Sequence, residues 1–98
     1  AFHGYLPIDA AQRQQKIKQL EQRSKQEDEA QIFIETPYRN QAFLDTLINA
    51  CQPNTLLCSA TDLTLNTEEI ISRPIQAWRA QAQPNLHKRP TIFVLYAR

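Results

Sequence analysis

A carboxylate and a guanidinium four positions apart, Glu35 and Arg39, are the residues whose types and spacing best suit chemistry. Glu35 follows the apolar run Ile32-Phe33-Ile34 and precedes Thr36-Pro37-Tyr38-Arg39. Such a run reads as a buried strand, and open α/β sheets take ligands outside the carboxyl ends of their strands. Thr36 can cap a helix and Pro37 fits its first position, so Arg39 falls in a first turn, where the macrodipole disfavours a cation. Some compensation is required. Either Glu35 pairs with Arg39 and pins the loop, or the pair orients a ligand or a phosphate; a pinned loop can also shape a pocket wall. Tyr38 shares that loop. Lys88-Arg89, just before Pro90, is a second basic cluster, solvated unless the fold brings it beside Arg39 to meet a phosphate.

Other chemistries lack their residues. Gly4 is the only glycine, so no glycine-rich loop can cradle a phosphate, and both the P-loop and the dinucleotide fingerprint are excluded. His3 and His87 stand far apart with no HExxH, GxSxG or Ser/His/Asp arrangement, which argues against a hydrolase. Cys51 and Cys58 form no CxxC pair and have no His at ligand spacing, so they read as reduced thiols of a cytoplasmic protein that holds no metal. Eleven Lys+Arg against ten Asp+Glu leave a net charge of +1, too little to steer the whole molecule to nucleic acid. Any basic surface must be local. No window approaches the roughly 20 apolar residues of a membrane span, and the first residues lack the regions of a signal peptide.

The elements that must position these residues follow from periodicity. Phe2–Leu6 alternates before Pro7 and reads as a short strand; Asp9 reads as the N-cap of a helix over residues 10–26. That helix has a thin apolar stripe of Ala10, Ile17 and Leu20. Its polar side carries Arg13, Lys16, Lys18, Arg23 and Lys25, either a solvated face balanced by Glu27-Asp28-Glu29 or a nucleic-acid contact. Ile32-Phe33-Ile34 predicts a strand buried on both faces. Phe43, Leu44, Leu47 and Ile48 then mark a helix ending near Cys51, and residues 55–60 the next strand, together a βαβ unit read as a right-handed parallel crossover. Residues 68–73 predict an edge strand, and 74–83 a short helix packed through Ile75, Trp78 and Ala82. Trp78 reads as a core anchor before a base-stacking platform. Thr91–Tyr96 is the most β-prone stretch and predicts a central strand. The sum is one α/β domain, a small mixed sheet of about five strands with three helices.

The order Phe2-His3-Gly4-Tyr5-Leu6-Pro7, a basic helix, then Ile32-Phe33-Ile34-Glu35-Thr36-Pro37-Tyr38-Arg39 resembles the C-terminal half of the tetrapyrrole (corrin/porphyrin) methylase family. Within it the chain looks most like the ribosomal RNA small-subunit methyltransferase I branch, whose members carry a GFLP segment, a Lys/Arg-rich helix and a strand ending in Glu-Ser-Pro-His-Arg. Glu35, Pro37 and Arg39 match that ending, with Thr36 for Ser and Tyr38 for His. The chain departs from the branch at Thr61-Asp62-Leu63-Thr64-Leu65, where the branch has Arg-Glu-Leu-Thr-Lys, and at Arg89-Pro90, where it has Gly-Glu. Those departures leave another RNA position, or a different substrate, as the acceptor.

The resemblance implies S-adenosylmethionine as cofactor and methyl transfer by a two-domain enzyme, residues 1–98 being its C-terminal domain, inactive alone. The glycine-rich cofactor loop would lie in an N-terminal domain absent from this chain, which opens without Met and reads as a piece of something larger. By similarity the cofactor wall would comprise Glu35 and Thr36, Ala60 and Thr61, and Pro90, Thr91 and Ile92. Tyr38, Arg39, Lys88 and Arg89 would face the substrate, ribosomal RNA, and no catalytic residue can be named. Family members commonly form homodimers, so this half could serve as an assembly surface. The rival from another class is a non-catalytic RNA- or protein-binding module using the basic helix with Arg39, Lys88 and Arg89.

Overall fold

Asp9 starts the long helix by accepting a hydrogen bond from the Gln12 amide at 3.2 Å, as an N-cap does. The computed structural model describes residues 1–98. In it helix α1 (Ala10–Glu27) ends where Asp28 turns left-handed and returns its N–H to the Ser24 carbonyl. The buried face of α1 is Arg13, Ile17, Leu20, Glu21 and Ser24, a heptad-like stripe that begins at Arg13, Ala10 being exposed.

Five strands, β1 (Phe2–Tyr5), β2 (Gln31–Ile34), β3 (Leu56–Thr61), β4 (Glu69–Pro74) and β5 (Thr91–Tyr96), form one sheet in the order β1-β2-β5-β3-β4. The expected α/β class with a mixed five-stranded sheet and three helices is the one observed. Only β1 and β2 pair in parallel, with α1 as their crossover. The strands flanking helix α2 (Asn40–Ala50), β2 and β3, run in the same direction but do not touch, which corrects the expected βαβ pairing. β5 lies between them, antiparallel to both, matching Phe33 with Phe93 on one side and Ser59 with Phe93 on the other. The strand with the strongest β-propensity thus takes the central place and splits the unit.

Alternation along the strands sorts side chains onto two faces. Phe33, Leu57, Phe93 and Leu95 join Ile17 and Leu20 of α1, Phe43, Leu44 and Leu47 of α2, and Ile75 and Trp78 in one buried cluster. All three helices therefore cover the same face. Phe33, Phe43 and Phe93 meet with centroids 5.3 to 6.3 Å apart, while Trp78 donates its indole N–H to the Leu57 carbonyl at 2.9 Å. Helix α3 (Ile75–Ala80) is shorter than the spacing implies: Gln81 is already extended, so Ala82 lies outside it and is exposed. The opposite face of the sheet carries no helix.

Candidate functional site

Glu35 leaves β2 at its carboxyl end and is buried, only 7% exposed. A buried carboxylate must have both oxygens satisfied. Its Oε1 accepts from the Thr36 amide at 2.7 Å and from the Thr36 hydroxyl at 3.3 Å, and its Oε2 accepts from Nη2 of Arg13. Arg13 also donates Nε–H to the Pro7 carbonyl at 2.8 Å and lies 4.7 Å from the Phe43 ring centroid. Its guanidinium is thus locked between β2, α2 and the chain after β1. The i,i+4 partner expected from the sequence, Arg39, reaches Glu35 only at 4.0 Å and rests over the Tyr38 ring at 5.2 Å. The loop is pinned as expected, but chiefly by a residue the polarity of α1 assigned to solvent. Its spacing with Ile17 and Leu20 was the signal that it faces inward.

Pro37–Arg39 forms a single 3-10 turn with Thr36 extended before it and Pro37 at the first position. The backbone of the second basic cluster leans on this turn: the Lys88 amide donates to the Pro37 carbonyl at 3.0 Å, and the buried Asn40 donates its side-chain N–H to the Arg89 carbonyl at 2.6 Å. The fold therefore does bring the two basic loops together. Arg89 is nonetheless occupied, donating Nε–H to Asp62 at 2.8 Å, Nη2–H to the Thr67 carbonyl at 3.0 Å and Nη1–H to the Asn85 carbonyl at 2.5 Å. It fastens the loop after β3. Lys88, in a left-handed conformation with φ of 60°, stays exposed.

Between these loops and β1 lies an open groove of about 460 Å³. Five of the seven residues expected to flank a cofactor line it: Glu35, Ala60, Pro90, Thr91 and Ile92. Thr36 and Thr61 do not. Thr61 is fully buried and turned toward the helices, its hydroxyl 3.3 Å from that of Thr91. Tyr38, Arg39, Lys88 and Arg89 stand outside the lining. Sequence reasoning missed Tyr5, Ile34, Pro37, Asp62, Leu63 and Leu65, which complete the walls. Asp62 carried the same signal as Glu35, a carboxylate at the end of an apolar strand. Its hydrogen bond from Arg89 holds its carboxyl below the usual aspartate range against the opposing effect of desolvation, with the Thr67 hydroxyl assisting. No Lys or Arg lines the groove.

A second depression of about 490 Å³ at the other end of the sheet is polar and includes Lys18, Lys25 and Arg98. Glu21 lies there, accepting from the Gln52 amide at 2.8 Å and from the Thr55 hydroxyl. These bonds close the loop entering β3. The structure gathers no group of three or more His, Cys, Asp or Glu side chains suited to a metal ion, and no helix is long and apolar enough to cross a membrane.

Comparison with protein-family models yields no match. Comparison of the sequence with curated proteins yields none either. Among solved structures, the methyltransferase CobJ matches over 99% of this chain with a TM-score of 0.51 at 17% identity. The chain spans 46% of the length of CobJ, about half. At that identity the likeness concerns the fold: the chain has the architecture of the matched part of CobJ.

Proposed function

We propose that this chain is the part of an S-adenosylmethionine-dependent methyltransferase that forms one wall of a cofactor and substrate cleft, inactive without the rest of the enzyme. The observation that carries this reading is the convergence of Glu35, Ala60, Pro90, Thr91 and Ile92 on one groove from three strand ends. The lining suits an adenosyl group. Ile34, Leu63, Leu65 and Ile92 offer apolar walls to a purine, and the absence of Lys and Arg suits a ligand bearing a positive sulfonium centre. When bound, the cofactor supplies an electrophilic methyl group, and transfer then depends mainly on alignment with the acceptor. The chain's own contribution is to hold the wall rigid: Arg13 fixes Glu35, and Arg89 fixes Asp62. Glu35 is in this reading a positioning residue.

Titration of S-adenosylhomocysteine into isotope-labelled protein tests the proposal. Amide shifts confined to Glu35, Ala60, Asp62, Thr91 and Ile92 are expected; shifts clustered at Lys18, Glu21 and Gln52 would place the ligand in the other depression and refute it. Ribosomal RNA as acceptor rests on the resemblance to the ribosomal RNA branch, together with the exposed Lys18 and Lys25 of α1 and the adjoining Arg39 and Lys88. A binding module without catalysis would use the same cations. Salt-dependent RNA binding that survives loss of the groove, for instance in Ala60→Trp, and disappears on Lys18→Glu with Lys88→Glu would favour that second reading.

A further inference from the structure

Tyr5, Glu35, Asp62 and Thr91 bring polar side-chain atoms to the candidate groove, and most of those atoms already have partners. Both oxygens of Glu35 accept from Thr36 and Arg13, and the Thr91 hydroxyl donates to the Arg89 carbonyl at 3.0 Å. Asp62, 7% exposed, is committed at every polar atom but one. Its amide donates to the Pro90 carbonyl at 2.9 Å, its carbonyl accepts from the Leu65 amide at 3.0 Å, and its Oδ2 accepts from the Thr67 hydroxyl and from Arg89 Nε. Oδ1 has no partner in the protein. The same bonds hold an unusual turn: Asp62 and Thr64 both keep positive φ, 52° and 70°, the left-handed region that costs side chains other than glycine. Strain of this kind, enforced by its surroundings, concentrates at ligand sites.

A carboxylate oxygen this enclosed needs a donor, and the groove is where one can arrive. Arg89 neutralises Asp62 from behind and Arg13 neutralises Glu35, so the groove has no surplus negative charge to draw a cation. What it offers is one directional acceptor between the apolar walls of Leu63, Leu65 and Ile92. That suits a neutral hydroxyl on a ligand with an apolar ring, and a carboxylate beyond a strand end can take a ribose hydroxyl in this way. We infer that Asp62 is the residue through which the groove recognises the secondary hydroxyls of a ribose, its Oδ1 accepting from them while Arg89 and Thr67 hold Oδ2. Glu35, saturated within the protein, shapes the wall and makes no such contact. The inference rests on the methyltransferase reading for the identity of the nucleoside as adenosine.

Adenosine and its dideoxy analogue, which lacks both secondary ribose hydroxyls, are titrated into the isotope-labelled 98-residue protein, with the amide shifts of Asp62, Leu63 and Ile92 reporting affinity. Adenosine should bind at least about tenfold more tightly, the worth of a hydrogen bond to a charged group. Asp62→Asn, which turns an N–H toward the groove when its oxygen stays with Arg89, should lose that preference. A native amide spectrum elsewhere shows that the variant folds, and the wild-type comparison decides even if it does not. Equal affinities of the two nucleosides at the groove overturn the role of Asp62 and leave the methyltransferase reading standing. So does a preference that persists in folded Asp62→Asn. No groove shift with either nucleoside or with S-adenosylhomocysteine overturns both.

Discussion

Arg13 and Glu35, 22 residues apart, are each other's principal partners, and the guanidinium that neutralises the carboxylate also covers the ring of Phe43. One contact therefore joins α1, the end of β2 and α2 at the base of the candidate groove. Removing one member of a buried pair strands the other charge, which typically costs about 3 to 5 kcal/mol. Arg13→Ala should lower the urea midpoint accordingly. Arg39→Ala, whose guanidinium is 36% exposed and 4.0 Å from Glu35, should change it little. Equal effects of the two substitutions would contradict the assignment of Arg13 as the pin.

Asp62 predicts how the fold responds to acid. Its pKa in the folded protein lies below the unfolded value near 3.8, first because Arg89 donates to it. A carboxyl depressed by folding contributes stability that is fully present above the unfolded pKa and is lost as pH falls through the folded one. Glu29, lowered chiefly by its hydrogen bond from Gln31, acts in the same direction. Thermal melts should therefore fall as the pH drops below about 4. Asp62→Asn should flatten that limb; an unchanged slope would mean that other carboxylates control it.

The two thiols should separate cleanly in a labelling experiment. Burial, reinforced by the nearby Glu21 carboxylate, raises the Cys51 pKa far above the ordinary thiol value, and burial raises that of Cys58 to a lesser degree. Only the thiolate attacks a maleimide. In the folded protein Cys58 should react, more slowly than a free thiol, while Cys51 should react only when the chain opens. Mass spectrometry of the time course distinguishes them, and early labelling of Cys51 would show that the end of α2 is loose.

Gly4 holds a φ of 66° in β1, and a Cβ there would meet nothing within 4 Å. Any penalty at this position is thus conformational. Gly4→Ala should cost about 1 kcal/mol through the left-handed backbone alone, while Gly4→Asn, which tolerates that region better, should cost less. If Gly4→Ala proved neutral by chemical denaturation, β1 would have to relax its irregular register with β2 at no expense.

The strands and two of the helices were legible because their signals are local. Runs such as Ile32–Ile34 and Thr91–Tyr96, or the spacing of Phe43, Leu44, Leu47 and Ile48, depend only on near neighbours. Strand order was not legible, since β5 pairs with β2 across more than half the chain and with β3 across about a third of it. The candidate site divides in the same way. Glu35 could be named from its place at a strand end, and Ala60 and Thr91 only through the family resemblance, whereas the true roles of Arg13 and Arg89 depend on what the fold sets beside them. Polarity alone placed both on basic surfaces, either solvated or meeting a phosphate. Leu63 and Leu65 carried no local pattern, and only the closure of the Asp62 loop by Arg89 makes them a wall.

The central strand is also the last of the five in chain order. Until Thr91–Tyr96 has left the ribosome, the nascent protein holds two separate pieces, β1 with β2 and β3 with β4, each with an unsatisfied edge facing the gap that β5 will fill. Such a topology delays closure of the sheet until the last of its five strands is made, through contacts of long sequence separation that form slowly. Between emergence and closure those two edges offer another chain the hydrogen bonds meant for β5, so the interval rather than the finished fold is where this protein is most exposed to aggregation.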